Sequence, residues 1–401
     1  STPSPTRSAP GSRSGGPAAP SAAGPPRGCA LSRTLRPVPT GRNVRERVQS
    51  STGCLNGRRT MEFLHRAPPR ARTPPGSCDR RMMGIELVST AAGVDAADGV
   101  AIRRAAERGE LVRVRRGAYA DASEWKAASA HERHVSLIRA VVASGRAALI
   151  VSHVSAVAQH RLPWIGSFGD RVVVTDPARD RGQTKHRIQR VGSAGRMPPV
   201  EVVDGVVVTS LAVTAVDVAL REHPWRAIVV LDAVLRRGVS KSVIRDELAH
   251  RTAARSRVRA LRLIDVADAA ADSPGESITR WGSIVLGAPP AEIQHAFPNE
   301  WGGAERVDLW FPASGTIVEF DGATKYTRPE MRNGRTAEEV VVAEKRREDR
   351  LRARHEVNGF ARVTWADAMP AGQLPRRLIE AGVPLAPNWG AAWRAAANRT
   401  L

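Results

Sequence analysis

The rhythm of apolar and polar positions changes several times along this 401-residue chain, and each change predicts an element. Residues 306–311 and 316–322 alternate with period two, which predicts two strands joined by a tight turn at 312–315. Residues 292–297 alternate in the same way and predict a third strand. Ahead of them Ile278, Trp281 and Val285 recur at helical spacing. Ser273 suits the N-cap there, Pro274 the first helical position, and Glu276 a capping box. Thr336 and Glu339 form a second such box, opening a long charged helix that Gly359 is expected to end; residues 360–365 follow as a strand. The predicted order is helix, three strands, helix, strand.

Nearer the N-terminus, residues 85–92 read as a short helix ending at Gly93, and 98–108 as a second with Val100, Ile102, Ala105 and Ala106 on its apolar side. Residues 110–119 read as a hairpin turning at Arg116 and Gly117. Two helices and a basic hairpin make a winged helix-turn-helix pattern. Arg103, Arg104 and Arg108 then lie on or beside the recognition helix, and Arg113, Arg115 and Arg116 on the wing. A protein-contact module with solvated arginines has the same pattern. In the middle, 147–151 is a buried-type strand, with Ser152 or Ser155 capping the helix after it. Strands are expected at 171–175 and 206–209, and helices at 211–221, 225–236 and 240–250 with a helical continuation over 251–270. Residues 370–401, with Trp389 and Trp393, read as a helix and a packed end.

The fold class is therefore mixed α/β. Its expected divisions are a tail (1–83), a winged helix (84–122), an α+β middle domain (123–270), an α-βββ-α-β domain (271–368) and a C-terminal helix (369–401).

Composition changes this picture mainly in the tail. Residues 1–83 carry 15 Arg and no Lys against Glu46, Glu62 and Asp79, a net +12 of the chain's +21. Rich in Pro, Gly and Ser and lacking apolar periodicity, this segment is either a non-specific nucleic-acid arm or a translated upstream region, with the natural start expected at Met82 or Met83. No run of about 18 apolar residues is present to span a bilayer, and a cytoplasmic protein without membrane contact is expected. Cys29, Cys54 and Cys78 all lie in the tail and suggest no disulfide framework or structural zinc. His131, His134, His153, His160 and His186 lack zinc-site spacing. Arg251, Arg255, Arg257, Arg259 and Arg262 form either a phosphate-contacting or a solvated helix face.

The candidate chemistry is acidic. Glu319 and Asp321, two apart on a strand, share a face, and Asp308 sits across the hairpin. If the three converge, the cation they call for is Mg²⁺. The plain alternative is a solvated acidic face, and Glu276 already has a structural role as a cap.

These words resemble the PD-(D/E)XK, restriction-endonuclease-like superfamily, closest to its very-short-patch-repair-like branch. They are Pro274-Gly275-Glu276-Ser277, Gln294, Val307-Asp308-Leu309, Val318-Glu319-Phe320-Asp321-Gly322, Lys325-Tyr326 and the charged run 344–349. The resemblance implies that Asp308 and Glu319, with the Phe320 carbonyl, ligate Mg²⁺ and that Glu276 is accessory. It also implies phosphodiester hydrolysis of DNA. The superfamily's lysine two residues after the glutamate is Asp321 here, which leaves Lys325 or Lys345 to orient water. The segment 109–119, with Val151-Ser152-His153-Val154-Ser155-Ala156, resembles AbiEi-type antitoxins, and looser likeness continues through 172–175, 204–210 and 216–219. That implies operator DNA and a nucleotidyltransferase toxin as partners. The sequence thus predicts a DNA-binding protein with a metal-dependent endonuclease-like domain. A regulator on a catalytically silent nuclease fold, or a protein that neutralises a partner, are the alternatives.

Overall fold

A computed structural model describes residues 85–90, 96–144, 149–251, 254–322 and 336–398, and the class is mixed α/β as expected. The tail over 1–83 and the segment 323–335, which holds Lys325, lie outside the described residues.

The first element corrects the sequence reading. Residues 85–90 are extended, and β1 (Val88–Ser89) pairs with a later strand. Ile85 is buried, and its N–H donates to the Ser136 hydroxyl at 2.9 Å. Tertiary pairing outweighs the local preference here. Helix α1 (Ala96–Glu107) follows, then β2 (Leu111–Arg115) and β3 (Ala118–Asp121), giving a sheet of order β1-β3-β2. Among the described residues one helix, not two, precedes the hairpin.

Helices α2 (Ala122–Ala127) and α3 (Ala130–Ala143) lead to β4 (Ile150–Val151) and α4 (His153–Gln159). Ser129 and Glu132 form a complete capping box on α3. Then come β5 (Val172–Asp176), β6 (Gln183–Lys185), β7 (Ile188–Gly192), β8 (Val200–Val203) and β9 (Val206–Thr209). They form one mixed sheet of order β6-β7-β5-β4-β9-β8. The expected strands at 171–175 and 206–209 are its buried members. The unexpected β6 and β8 are its edges, and they are mostly exposed.

Helices α5 (Leu211–Arg221) and α6 (Pro224–Arg236) are buried along most of their length, as their apolar surroundings on several sides require. They are followed by α7 (Lys241–Ala249) and α8 (Ala254–Val266). Two of the arginines offered as phosphate contacts hold structure instead. Arg251 meets Asp217 at 3.0 Å and Glu247 at 3.1 Å, and Arg259 donates to the Ala219 and Leu220 carbonyls at the end of α5.

The C-terminal part has the predicted order: α9 (Pro274–Val285), β10 (Glu292–Pro298), β11 (Ala304–Phe311), β12 (Thr316–Phe320), α10 (Ala337–Arg352), β13 (Gly359–Val363). Its sheet runs β10-β11-β12-β13, antiparallel except that β13 lies parallel to β12. Helix α10 ends at Arg352, so Gly359 opens the strand instead of closing the helix; a Cβ there would lie 1.9 Å from the Ala381 carbonyl oxygen. Short α11 (Trp365–Ala368), α12 (Leu374–Glu380) and α13 (Trp389–Asn398) complete the chain, with Trp393 buried.

Alternation along β12 divides the packing. Val318 and Phe320 join a continuous core that runs from Ile85 to Ala396. Ile317 joins a smaller cluster with Phe297, Val307, Trp310, Leu351 and Phe360 on the α10 side. Phe320 closes against α9, where only glycine fits: a Cβ on Gly275 would fall 2.0 Å from its ring. A buried pair fixes α9 to α6, Arg280 donating to Asp232 at 2.8 and 3.0 Å. Burial pushes the Asp232 carboxyl up, and the Arg280 charge and the Asp268 N–H pull against it. Such a pair adds little net stability but fixes how the elements dock, since breaking it leaves a buried charge. Among the described residues no helix is long and apolar enough to cross a membrane.

Candidate functional site

The acidic residues that the sequence singles out, Glu276, Asp308, Glu319 and Asp321, fall into two groups. In the first, Gln294 on β10 bridges Glu276 and Asp308, donating at 2.8 Å to Glu276 and at 3.4 Å to Asp308. The other Asp308 oxygen accepts the Phe320 N–H at 2.7 Å. Pairing between β11 and β12 reaches only Leu309 and Val318, so Asp308 takes a backbone amide just beyond the ladder's end. Glu276 is buried, but its capping box is half made. Ser273 accepts the Glu276 N–H, while the Glu276 carboxylate turns to the Asp272 N–H at 2.9 Å instead of the Ser273 amide.

Glu319 belongs to the second group, on the α10 side. Its carboxylate is buried and accepts from Arg347 at 2.7 Å, with Arg362 at 4.0 Å. Arg362 also lies 4.0 Å from Asp321, so Glu319 and Asp321 do share a side. Arg347 and Arg362 both bind Glu344, and Arg362 binds Glu348. Burial alone would lower the Arg347 guanidinium, but hydrogen bonding and charge from Glu319, with Glu344, hold it above its ordinary value. Lys345 pairs with Asp349 at an exposed position.

The expected convergence of Asp308, Glu319 and Asp321 on a cation is therefore not the arrangement described. No group of three or more His, Cys, Asp and Glu among the described residues could hold a metal ion. A guanidinium already occupies the cation's place beside Glu319. As arranged, a metal at Glu319 would have to displace the Arg347 ion pair.

The predicted nucleic-acid arginines divide differently. Arg103, Arg113, Arg115 and Arg116 line one open groove of about 930 Å³, together with His186 and Arg187. Among the described residues no carboxylate lines it. Arg104 and Arg108 lie outside it, and Arg108 is taken by Glu110 through two bonds of 2.7 and 2.9 Å. Arg115 is half-buried and works as a tether. It donates to the Ala140 and Val141 carbonyls at 3.3 and 3.4 Å and to the Ser144 hydroxyl, satisfying the end of α3. Burial lowers its pKa.

His186 and Arg187 come from the middle sheet, and sequence reasoning missed them. They are the two residues between Lys185 and Ile188, which pair directly, and both have positive φ, 52° and 62°. A two-residue hairpin of this hand normally uses Asn-Gly. Two side chains held there cost about 1 kcal/mol or more each. The signal that was available is the basic run Lys185-His186-Arg187 between two short polar strands.

His153 opens α4 at φ 54°, within 2.9 Å of Ser152 and 3.4 Å of Asp217. Both contacts use the same ring nitrogen, Nδ1, so the set is no relay for a nucleophilic serine. Ser152 is the N-cap by position without a side-chain cap bond, and Ser155 instead bonds His134 and the Val173 N–H.

Fold and site thus define a mixed α/β protein with an arginine-lined groove and a neutralised acidic sheet. No family model matches the chain. Two Mycobacterium tuberculosis proteins are each 33% identical over 142 residues, 35% of this chain and 51% of theirs: Uncharacterized protein MT2308 of strain CDC 1551 / Oshkosh and Uncharacterized protein Rv2248 of strain ATCC 25618 / H37Rv. The chain spans about half the length of these curated relatives. The crystal structure of the RV2827C protein from the same species is similar at TM-score 0.28 and 15% identity, over 52% of this chain and 78% of that one. A likeness that low carries no argument.

Proposed function

We propose that this chain is a DNA-binding protein of regulatory type, whose nuclease-like C-terminal sheet serves as a scaffold. The observation that carries the reading is the groove: five arginines from three parts of the chain face one open space with no acid among its described lining residues. Guanidinium groups left without carboxylates are what phosphate recognition needs, and such binding weakens steeply with salt. The resemblance to AbiEi-type antitoxins supports the same reading and brings a nucleotidyltransferase toxin as the candidate protein partner. A gel-shift titration with duplex DNA tests it. The native chain is expected to bind, and a triple Arg103→Gln, Arg113→Gln, Arg116→Gln variant with an unchanged melting temperature is expected to lose most of that binding. Equal binding by the triple variant sinks the proposal.

The endonuclease reading keeps one observation of its own, the bridged group Glu276, Gln294 and Asp308 at the end of the β11–β12 ladder. Plasmid cleavage in Mg²⁺ or Mn²⁺, beside Asp308→Asn and Glu319→Gln, decides between the two. Cleavage by the native chain and by neither variant would establish the enzyme and overturn the scaffold reading.

A further inference from the structure

The groove has two walls, and only one belongs to the segment the sequence marked for DNA. Arg103 on α1 and Arg113 and Arg116 on the β2–β3 hairpin form the first. The β6–β7 turn forms the second. Arg187 is tied to the first wall, donating to the Val114 carbonyl at 3.1 Å, and this bond uses one of the five donors of its guanidinium. Both turn residues are exposed, and both occupy a backbone conformation that favours Asn and Gly. Neither burial nor turn geometry therefore accounts for a histidine and an arginine at these positions. Their placement beside four other arginines does.

We infer that the His186–Arg187 turn is a second jaw of the groove, closing on the sugar-phosphate backbone of a nucleic-acid duplex that the α1 and β2–β3 arginines hold from the other side. The inference rests on the DNA-binding reading above and deepens it. A groove of about 930 Å³ open to solvent exceeds what one phosphate or a free nucleotide needs. Single-stranded nucleic acid is held by stacking its bases on exposed aromatic rings. Among the described residues, the one aromatic ring of Phe, Tyr or Trp type lining this groove is Tyr119, and it is buried. Bidentate readout of adenine and readout of cytosine use Asn, Gln, Asp or Glu, and none is among the described lining residues. What remains is chiefly backbone contact from two directions, with arginine reaching guanine as the strongest direct readout.

The experiment is fluorescence anisotropy of the full chain with a labelled duplex, repeated over a salt series, with melting temperatures measured alongside. Two variants are compared, Arg187→Gln and the double His186→Asn, Arg187→Gly. The double variant gives the turn the sequence its backbone favours while removing both side chains. Arg187→Gln is expected to weaken binding roughly three- to tenfold and to reduce the slope of log K against log salt by about one. The double variant is expected to bind at least as weakly while melting at the same or a higher temperature. Unchanged affinity and slope in both variants, while Arg113→Gln lowers them, overturns the second jaw and leaves the DNA reading standing. No binding of the native chain to the duplex removes both. Tighter binding to a single strand of the same length overturns the duplex assignment.

Discussion

The C-terminal sheet and the N-terminal groove use the same side chain in opposite ways. Around the sheet four arginines, three on α10 and one on β13, find acids: Arg347 holds Glu319 and Glu344, Arg362 holds Glu344 and Glu348, Arg350 holds Glu305, and Arg352 holds Glu348. In the groove Arg103, Arg113 and Arg116 are exposed, and among the described residues no acid lines the space between them. Matched charge carries a folding role, because a buried carboxylate cannot lose its partner cheaply. Unmatched charge contributes little to folding and attracts a polyanion. The difference explains why the region that looks like chemistry in sequence is internally neutralised, while the region that looks like a binding module stays open.

Both regions rest on a core with its own acid limit, and this is where the largest effect is expected. Burial lowers His134 to about 4, and it lowers His153 to about 4 against the opposing charge of Asp217, with Arg221 and Arg251 adding to the fall. Between pH 4 and the ordinary histidine value of 6.5 the unfolded chain binds more protons than the folded one. Stability is then complete above about pH 6.5 and falls with pH down to about 4, by about 3 kcal/mol for each histidine. Urea midpoints at fixed ionic strength over this range measure it. A flat profile would mean that the two rings are charged in the native state, and the comparison would then need a different account of the core.

The matched half is broken next. Arg347→Ala strands Glu319 with only the more distant Arg362, and a loss of about 3 kcal/mol is expected. Adding Glu319→Gln to the same chain should recover much of it, since a neutral amide no longer needs a cation. If Arg347→Ala costs nothing, the ion pair is ornamental and Glu319 is available for other chemistry. Asp308→Asn tests the neighbouring group at a smaller scale. It weakens the bond from the Phe320 amide and is expected to cost about 1–2 kcal/mol.

What was legible in sequence follows the same division. The order around β10 to β13 could be read because Ile317, Val318 and Phe320 alternate between two apolar clusters, and because Thr336 and Glu339 advertise a helix start. The helices α5 to α7 were legible for the same reason. The strand at Val88 was not, since a short segment takes its conformation from the sheet it joins. The edge strands β6 and β8 lacked an apolar face to betray them. Charge partners were the least legible of all. Nothing in spacing assigns Arg347 to Glu319, 28 residues away, or brings His186 and Arg187 beside Arg113. Those assignments depend on the register of strands that the pattern only outlines.

The smallest stability effect sharpens the comparison most, because it falls inside the groove itself. Arg113 and Arg115 are two residues apart on one strand, and sequence reasoning gave them one role. Arg113 is exposed, whereas Arg115 reaches two carbonyls and a hydroxyl at the end of α3. Arg115→Gln is expected to cost about 1 kcal/mol of stability by removing the guanidinium donor from those acceptors. Arg113→Gln should change stability by less than about 0.5 kcal/mol yet reduce the salt slope of DNA binding by about one. The two substitutions remove the same charge from neighbouring positions, so any difference between them reports the partner and not the charge. If both lower the melting temperature equally, or both leave DNA binding equal to the native chain, the division between matched and unmatched arginines fails where it is most sharply drawn.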